Sequence, residues 1–448
     1  MSQNLEELTH ALLLGAKKAG ANDADAMAVK GTALSIDVRN GVLEQAERSE
    51  GVDIGLRVFV GQRQACVSSS DTSQSTIDAM CERAIAMAKE APEDPYAGLA
   101  DPASLSDVRG ADGLELFDPT PEPDPADLQN DAMHAEAAAL EYAGIGQVQS
   151  ASGGYSAREI HISATNGFTG GYQRTDRATS CVAIAGTGAG MERDYDGDSR
   201  IFQADLRAAA DIGRSAAERA LARIGATKPP TGNYPVLFDE RISSTLIGHL
   251  LAAINGASIA RGSSWLRDAL GTQVLPEHLS VIEDPHRTRI PGSRLFDAEG
   301  LATQKRAIVE NGMLTGWTLD QANARKLGMA STANAARGTS APPTPSNWNI
   351  ELTQGAQSRD ALLRDMGTGL LVTSMIGSTI NATTGDYSRG AAGFWIENGE
   401  ISHPVNECTI AGNLRDMLLR MTPANDARTH LSRVVPSLLV EGMTLAGN

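Results

Sequence analysis

The chain has 448 residues, a formal net charge of −17, and a composition of 41% hydrophobic, 21% charged and 4% aromatic residues. These values describe a globular chain of two or three domains. The acidic balance speaks against nucleic acid or an anionic membrane as the main ligand, because both need clustered Lys and Arg.

From the N-terminus, apolar spacing at Leu5, Leu8, Leu12 and Leu13 predicts an amphipathic helix over 4–20. Alternating residues predict strands over 34–38, 43–48, 54–60 and 65–69, and a helix follows over 73–90. The segment 91–125 holds seven of the nineteen prolines and many Asp residues, and reads as a surface connection. A helix is expected over 127–142, strands over 148–152, 159–164, 168–174 and 180–185, and an Ala-rich helix over 205–223.

Pro229, Pro230 and Gly232 mark a boundary, so the expected division is an N-terminal α/β domain over 1–230 and a second domain over 231–448. In the second, a strand over 235–238 precedes an apolar helix over 242–259. Strands over 306–310, 313–319, 370–375, 393–398, 401–405 and 437–440 follow, with helices over 358–366 and 413–421. Asn-Gly pairs at 40–41, 166–167, 311–312 and 398–399 favour tight antiparallel turns. The expected fold class is α+β: a mixed N-terminal domain and a β-rich, largely antiparallel C-terminal domain with peripheral helices.

Few motifs carry chemistry. Gly186-Thr187-Gly188-Ala189-Gly190 resembles a phosphate-binding turn, but the polar residues after it do not make the apolar helix a dinucleotide site requires. Cys66, Cys81, Cys181 and Cys408 have no C-x-x-C spacing, which speaks against a disulfide framework or a zinc ribbon. No two of the eight histidines lie three or four residues apart, so H-E-x-x-H is absent. Cys408 follows His403 by five residues, either as a nucleophile pair or as a small buried side chain. Asp386-Tyr387-Ser388-Arg389 either binds a peptide end or a backbone, or forms a turn in which Asp and Arg pair. The start of the chain is acidic, without a secretory signal pattern, and no apolar run reaches membrane-helix length; a cytoplasmic location is expected.

Further motifs run in order along the chain: Val38-Arg39-Asn40-Gly41-Val42-Leu43-Glu44, Gly55-Leu56-Arg57-Val58-Phe59, Phe296-Asp297-Ala298-Glu299-Gly300, Met366-Gly367-Thr368-Gly369-Leu370 and the block 384–405. Together they resemble the TldD/PmbA family, and within it the PmbA branch, also called TldE. The resemblance implies metal-dependent proteolysis of unfolded or modified peptides by a heterodimer with a TldD-type subunit, and a homodimer when the chain is isolated. It also implies a decisive departure. The TldD branch carries H-E-x-x-x-H where this chain has Ser244-Thr245-Leu246-Ile247-Gly248-His249, keeping one histidine. Catalytic zinc normally takes three protein ligands and a water. No cofactor is therefore expected in this chain, and zinc is expected in the partner. Candidate cleft or interface residues are His249, Asn347, Asp386, Tyr387, Ser388 and Arg389. The rival expectations are a self-sufficient hydrolase using His249 or Cys408, and a homodimeric peptide-binding module.

Overall fold

Tight reversals set the architecture. Asn40 and Gly41 adopt φ of 54° and 70°, and Asn398 and Gly399 adopt 55° and 79°, the left-handed pair that a two-residue hairpin needs. In the computed structural model, which describes residues 4–447, such turns join strands far longer than the alternation suggests. Asp23–Arg39, Val42–Val60, Arg63–Ser69, Ile145–Ala164, Thr169–Ala185 and Glu192–Arg200 form one six-stranded sheet, antiparallel throughout. The pairs expected over 43–48 and 54–60, 148–152 and 159–164, and 168–174 and 180–185 each prove to be one continuous strand. Their middles carry Gly, Ser, Glu and Arg, which hide the period-two pattern although the backbone pairing continues.

Helices cover the two ends of this sheet. Leu5–Ala19 and Gln74–Glu90 bury Leu5, Leu8, Leu12, Ile77 and Met80 against Ile54, Leu56 and Val58. Pro125–Leu140 and Ala209–Ala222 bury Leu128, Ala132, Ile212 and Ala216 against Ala151, Cys181 and Ala183. Only small residues let these two helices approach: a Cβ on Gly213 would lie 1.9 Å from the Ala135 carbonyl oxygen. Segment 91–125 crosses between the parts as a strap, with Ser106 N–H donating to Gly300 O at 2.8 Å and Arg289 N–H to Leu114 O at 2.8 Å.

The C-terminal part is a small barrel. Its strands run in the order Glu400–Asn413, Asp386–Glu397, Gly369–Ile380, Gly232–Phe238 and Leu438–Ala446, and pairing of the last with the first (Thr409 opposite Ala446) closes it. One pair, Leu370 with Val236, is parallel; the others in the ring are antiparallel. The helix expected over 242–259 is two helices, Glu240–Ala253 and Gly256–Ala260. Asn255 breaks it, because its side chain caps the second helix through Ala257 N–H at 3.0 Å.

Buried charge joins the two parts. The strand Glu192–Arg200 is hidden in the sequence because Asp194, Asp196 and Asp198 read as solvated; they alternate onto a buried face instead. Asp194 meets Arg241 at 2.9 Å, and Asp196 meets Arg207 and Arg219 at 2.8 and 2.9 Å. Further along, Asp25 on the N-terminal sheet binds both Arg57 and Arg337. Among the described residues, no helix is long and apolar enough to cross a membrane.

Candidate functional site

The helix Glu240–Ala253 starts at Asp239, whose carboxylate accepts from Arg241 N–H at 3.2 Å. Ser243, Leu246, Ile247, Leu250 and Leu251 are buried on its inner side, with the four apolar ones in the barrel core. Ser244, Thr245, Gly248 and His249 stay partly exposed, and helical spacing puts them on one open stripe. The strand Asp386–Glu397 passes this stripe. Tyr387 and Arg389, two residues apart, point to its same face.

His249 and Tyr387 meet edge to face, ring centres 5.8 Å apart at 74°. The Tyr387 ring is buried, its hydroxyl lies 3.4 Å from the Met375 sulfur, and burial pushes its phenol up to about 12. It is a rigid wall, not an acid or base near neutral pH. Burial, and then the Arg389 charge, lower the His249 pKa, which favours a neutral ring. Its Nε2 is buried and has no hydrogen-bond partner among the described residues. Thr245 Oγ1 donates to Ile242 O at 2.7 Å, so that hydroxyl serves its own helix. Arg433, from a distant strand, lies across Gly248: a Cβ there would be 3.2 Å from its Nη1.

The remaining expected residues sit apart from this group. Asp386 is exposed; hydrogen bonds from Thr384 Oγ1 at 2.6 Å and Asn413 Nδ2 at 3.1 Å hold its carboxyl below the usual range. Arg389 Nε donates to Gly377 O at 2.8 Å, so each of the two has its own partners and they form no ion pair. Ser388, between Tyr387 and Arg389, falls on the other face of the strand. Asn347 belongs to a separate polar core: its Nδ2 donates to Thr318 Oγ1 at 2.8 Å and to Glu283 Oε1 at 3.3 Å. The structure therefore gathers His249, Tyr387 and Arg389, with Arg433 against the adjacent Gly248, and leaves the other three outside. Nothing in the sequence marks Arg433, since only the fold brings it to Gly248.

The possible Cys–His nucleophile pair does not form. Cys408 Sγ donates to Ala391 O at 3.2 Å, and burial pushes its thiol up to about 11. His403 sits opposite Trp395, further along the hairpin, beside Ser402 Oγ at 3.1 Å. Among the described residues, no group of three or more His, Cys, Asp or Glu side chains is placed to hold a metal ion.

An antiparallel sheet joined to a small closed barrel, with the helix Glu240–Ala253 packed on that barrel and one stripe of it partly exposed, defines the class: a multi-part α+β protein. The family models for the PmbA/TldA metallopeptidases match three successive segments: domain 1 at 24–88, the central domain at 118–224 and the C-terminal domain at 231–447. The chain belongs to the PmbA/TldD metallopeptidase family. It is 37% identical to Metalloprotease PmbA of Escherichia coli O157:H7, over 96% of this chain and 93% of that protein. A Bacteroides thetaiotaomicron structure described as a putative modulator of DNA gyrase matches with a TM-score of 0.91 at 27% identity, covering 99% of both chains. TldE from Thermococcus kodakarensis shares the fold, with a TM-score of 0.84 at 20% identity over 98% of this chain and 100% of that one.

Proposed function

We propose that this chain is the PmbA/TldE-type subunit of a cytoplasmic metalloprotease complex that trims unfolded or modified peptides. In this reading it completes the substrate cleft while a TldD-type partner carries zinc and the catalytic base. The observation behind it is the helix Glu240–Ala253: the positions that would hold H-E-x-x-x-H are Ser244, Thr245 and His249. A serine is a poor zinc ligand, the Thr245 hydroxyl is tied to Ile242 O at 2.7 Å, and one imidazole is too few for a catalytic zinc. The donor set thus does not fit a metal centre of its own. Exposed strand edges at a cleft suit extended peptides, because main-chain hydrogen bonds ignore side-chain identity.

The test is reconstitution. The purified chain is assayed for bound metal and for cleavage of an unfolded peptide, alone and with a TldD-type subunit carrying H-E-x-x-x-H. Activity that needs both chains and disappears with a chelator supports the proposal. Stoichiometric zinc in the isolated chain, or cleavage by it alone that survives a chelator, refutes it.

A further inference from the structure

The segment 264–274 folds into a cup on the C-terminal part. Trp265 N–H donates to Ala382 O at 2.8 Å, Ala269 N–H to Leu266 O at 2.8 Å and Val274 N–H to Gly312 O at 2.8 Å. Ser264 Oγ accepts from Leu266 N–H at 3.0 Å. These bonds tie the segment to the loop at Ala382 at one end and to the Asn311-Gly312 turn at the other. The helix Leu414–Leu419 supplies the facing wall, and its Arg415 guanidinium donates to Trp265 O. Between them lies a cavity of about 290 Å³. It shares no lining residue with the stripe of Ser244, Thr245, Gly248 and His249.

The lining is sorted by chemistry. Trp265, Leu266 and Val274 are buried members of the barrel core and form the floor. Ala269 and Leu419 continue the apolar wall. Asp268, Thr272, Gln273 and Arg415 also line the cavity but are exposed, so they form its mouth. Asp268 holds Arg267 through one carboxylate oxygen at 3.0 Å, and its other oxygen has no partner among the described residues. Arg415 has no carboxylate partner among the described residues, and its guanidinium spends one nitrogen on Trp265 O.

An apolar floor takes an apolar body. The volume sits at the lower limit of about 300 Å³ for small-molecule sites, which restricts that body to something near a single side chain. A mouth with one guanidinium and one carboxylate suits an anion and a cation on one small frame, since the guanidinium fork matches a carboxylate and charge-assisted bonds are the strong ones. A chain with net charge −17 repels a free anion, whereas a neutral zwitterion is spared that cost.

We propose that this cavity binds a free apolar α-amino acid. The side chain of the ligand packs on Trp265, Leu266 and Val274, its carboxylate meets Arg415, and its ammonium meets Asp268. Such molecules are what complete hydrolysis of a peptide leaves, so the ligand class is that of an end product of proteolysis. The inference does not depend on how the stripe on Glu240–Ala253 is used.

Isothermal titration calorimetry of the full chain tests it. L-phenylalanine and L-leucine are compared with L-alanine, phenylalaninamide and N-acetylphenylalanine. Phenylalanine and leucine should bind saturably with Kd below about 1 mM, a modest value for so few atoms. Alanine should bind at least about tenfold more weakly, for want of an apolar side chain to bury. The amide and the N-acetyl form should each lose about tenfold, one charge-assisted contact apiece. Arg415→Gln should weaken phenylalanine to the level of its amide and leave the amide unchanged; Asp268→Asn should do the same with respect to the N-acetyl form. Both side chains are exposed, so an unchanged thermal midpoint confirms folding. Leu419→Trp, which fills the cavity, should abolish binding of every ligand. Three results each overturn the inference: no saturable binding of phenylalanine or leucine, binding of the amide or the N-acetyl form as tight as that of phenylalanine, or wild-type binding by Leu419→Trp. Equal binding of N-acetylphenylalanine would assign the cavity to the C-terminal residue of a peptide instead.

Discussion

Asp25→Asn tests whether the two parts of the molecule are held together by buried charge. Asp25 is 3% exposed, Arg57 is 4% exposed, and the Arg337 side chain is 1% exposed. Arg57 Nε donates to Asp25 at 2.8 Å, a second Arg57 nitrogen adds a contact, and Arg337 approaches the other carboxylate oxygen from the C-terminal part. Burial alone would raise the Asp25 pKa, but Arg337 and Arg57 outweigh it and hold it below the usual range. Removing the carboxylate strands two buried cations, which costs about 3–5 kcal/mol. At ~2 °C per kcal/mol for a large domain, the midpoint of thermal unfolding should fall by about 6–10 °C. A depressed carboxyl pKa stabilises the native state above the unfolded value of about 3.9 and loses that as pH falls through the folded value. The gap between wild type and variant should therefore hold from neutral pH down to about pH 4 and close only in stronger acid. Replacing the whole cluster with apolar side chains, Asp25→Leu together with Arg57→Met and Arg337→Met, would recover much of the loss if stranded charge is its cause. An Asp25→Asn midpoint within about 2 °C of wild type would refute the reasoning.

Gly213→Ala should destabilise by about 1–3 kcal/mol or more through forced separation of two helices, read by thermal unfolding, since the new Cβ would sit 1.9 Å from Ala135 O. Burial, and then the Asp297 charge, raise the Glu299 pKa well above the usual carboxylate range, which favours its neutral form in the native state. For a raised carboxyl, stability is full below the unfolded pKa and is lost as pH rises through the folded one; the midpoint should decline as pH rises above about 5, and Glu299→Gln should flatten that decline. Cys408→Ala should leave peptide cleavage by the reconstituted complex unchanged in a fluorogenic assay, because its thiol is protonated and bonded to Ala391 O; loss of activity without loss of folding would revive the cysteine mechanism.

What the sequence reveals follows the reach of each signal. Helices with a single buried stripe, such as Leu5–Ala19, are legible because spacing alone sets their inner face. Asn-Gly places the hairpins at 40–41 and 398–399, since few other pairs tolerate both positive φ values. The strand Glu192–Arg200 is not legible: its inward aspartates are satisfied by arginines from 207, 219 and 241, which only the fold brings near. The candidate site divides in the same way. Tyr387 and Arg389 stand out as neighbours in sequence and His249 through the motif it only partly keeps, whereas Asn347 reads as a loop residue and is locked by Thr318 and Glu283.

The helix Glu240–Ala253 also allows a constructive test of why this chain holds no metal motif. Ser244 and His249 are five residues apart, about 140° around an α-helix, and both are partly exposed. The backbone therefore still presents the two positions that H-E-x-x-x-H would use. Ser244→His with Thr245→Glu restores the motif on that unchanged helix, yet supplies only two imidazoles. A third ligand would have to come from elsewhere in the barrel, and its cysteine, Cys408, is a buried protonated thiol bonded within the barrel wall. The double variant should fold, bind zinc weakly enough to lose it on gel filtration, and remain inactive without a partner. Retention of one zinc per chain after gel filtration would mean that the barrel still supplies a third donor, and the chain would then differ from a metal-holding subunit by those two residues alone.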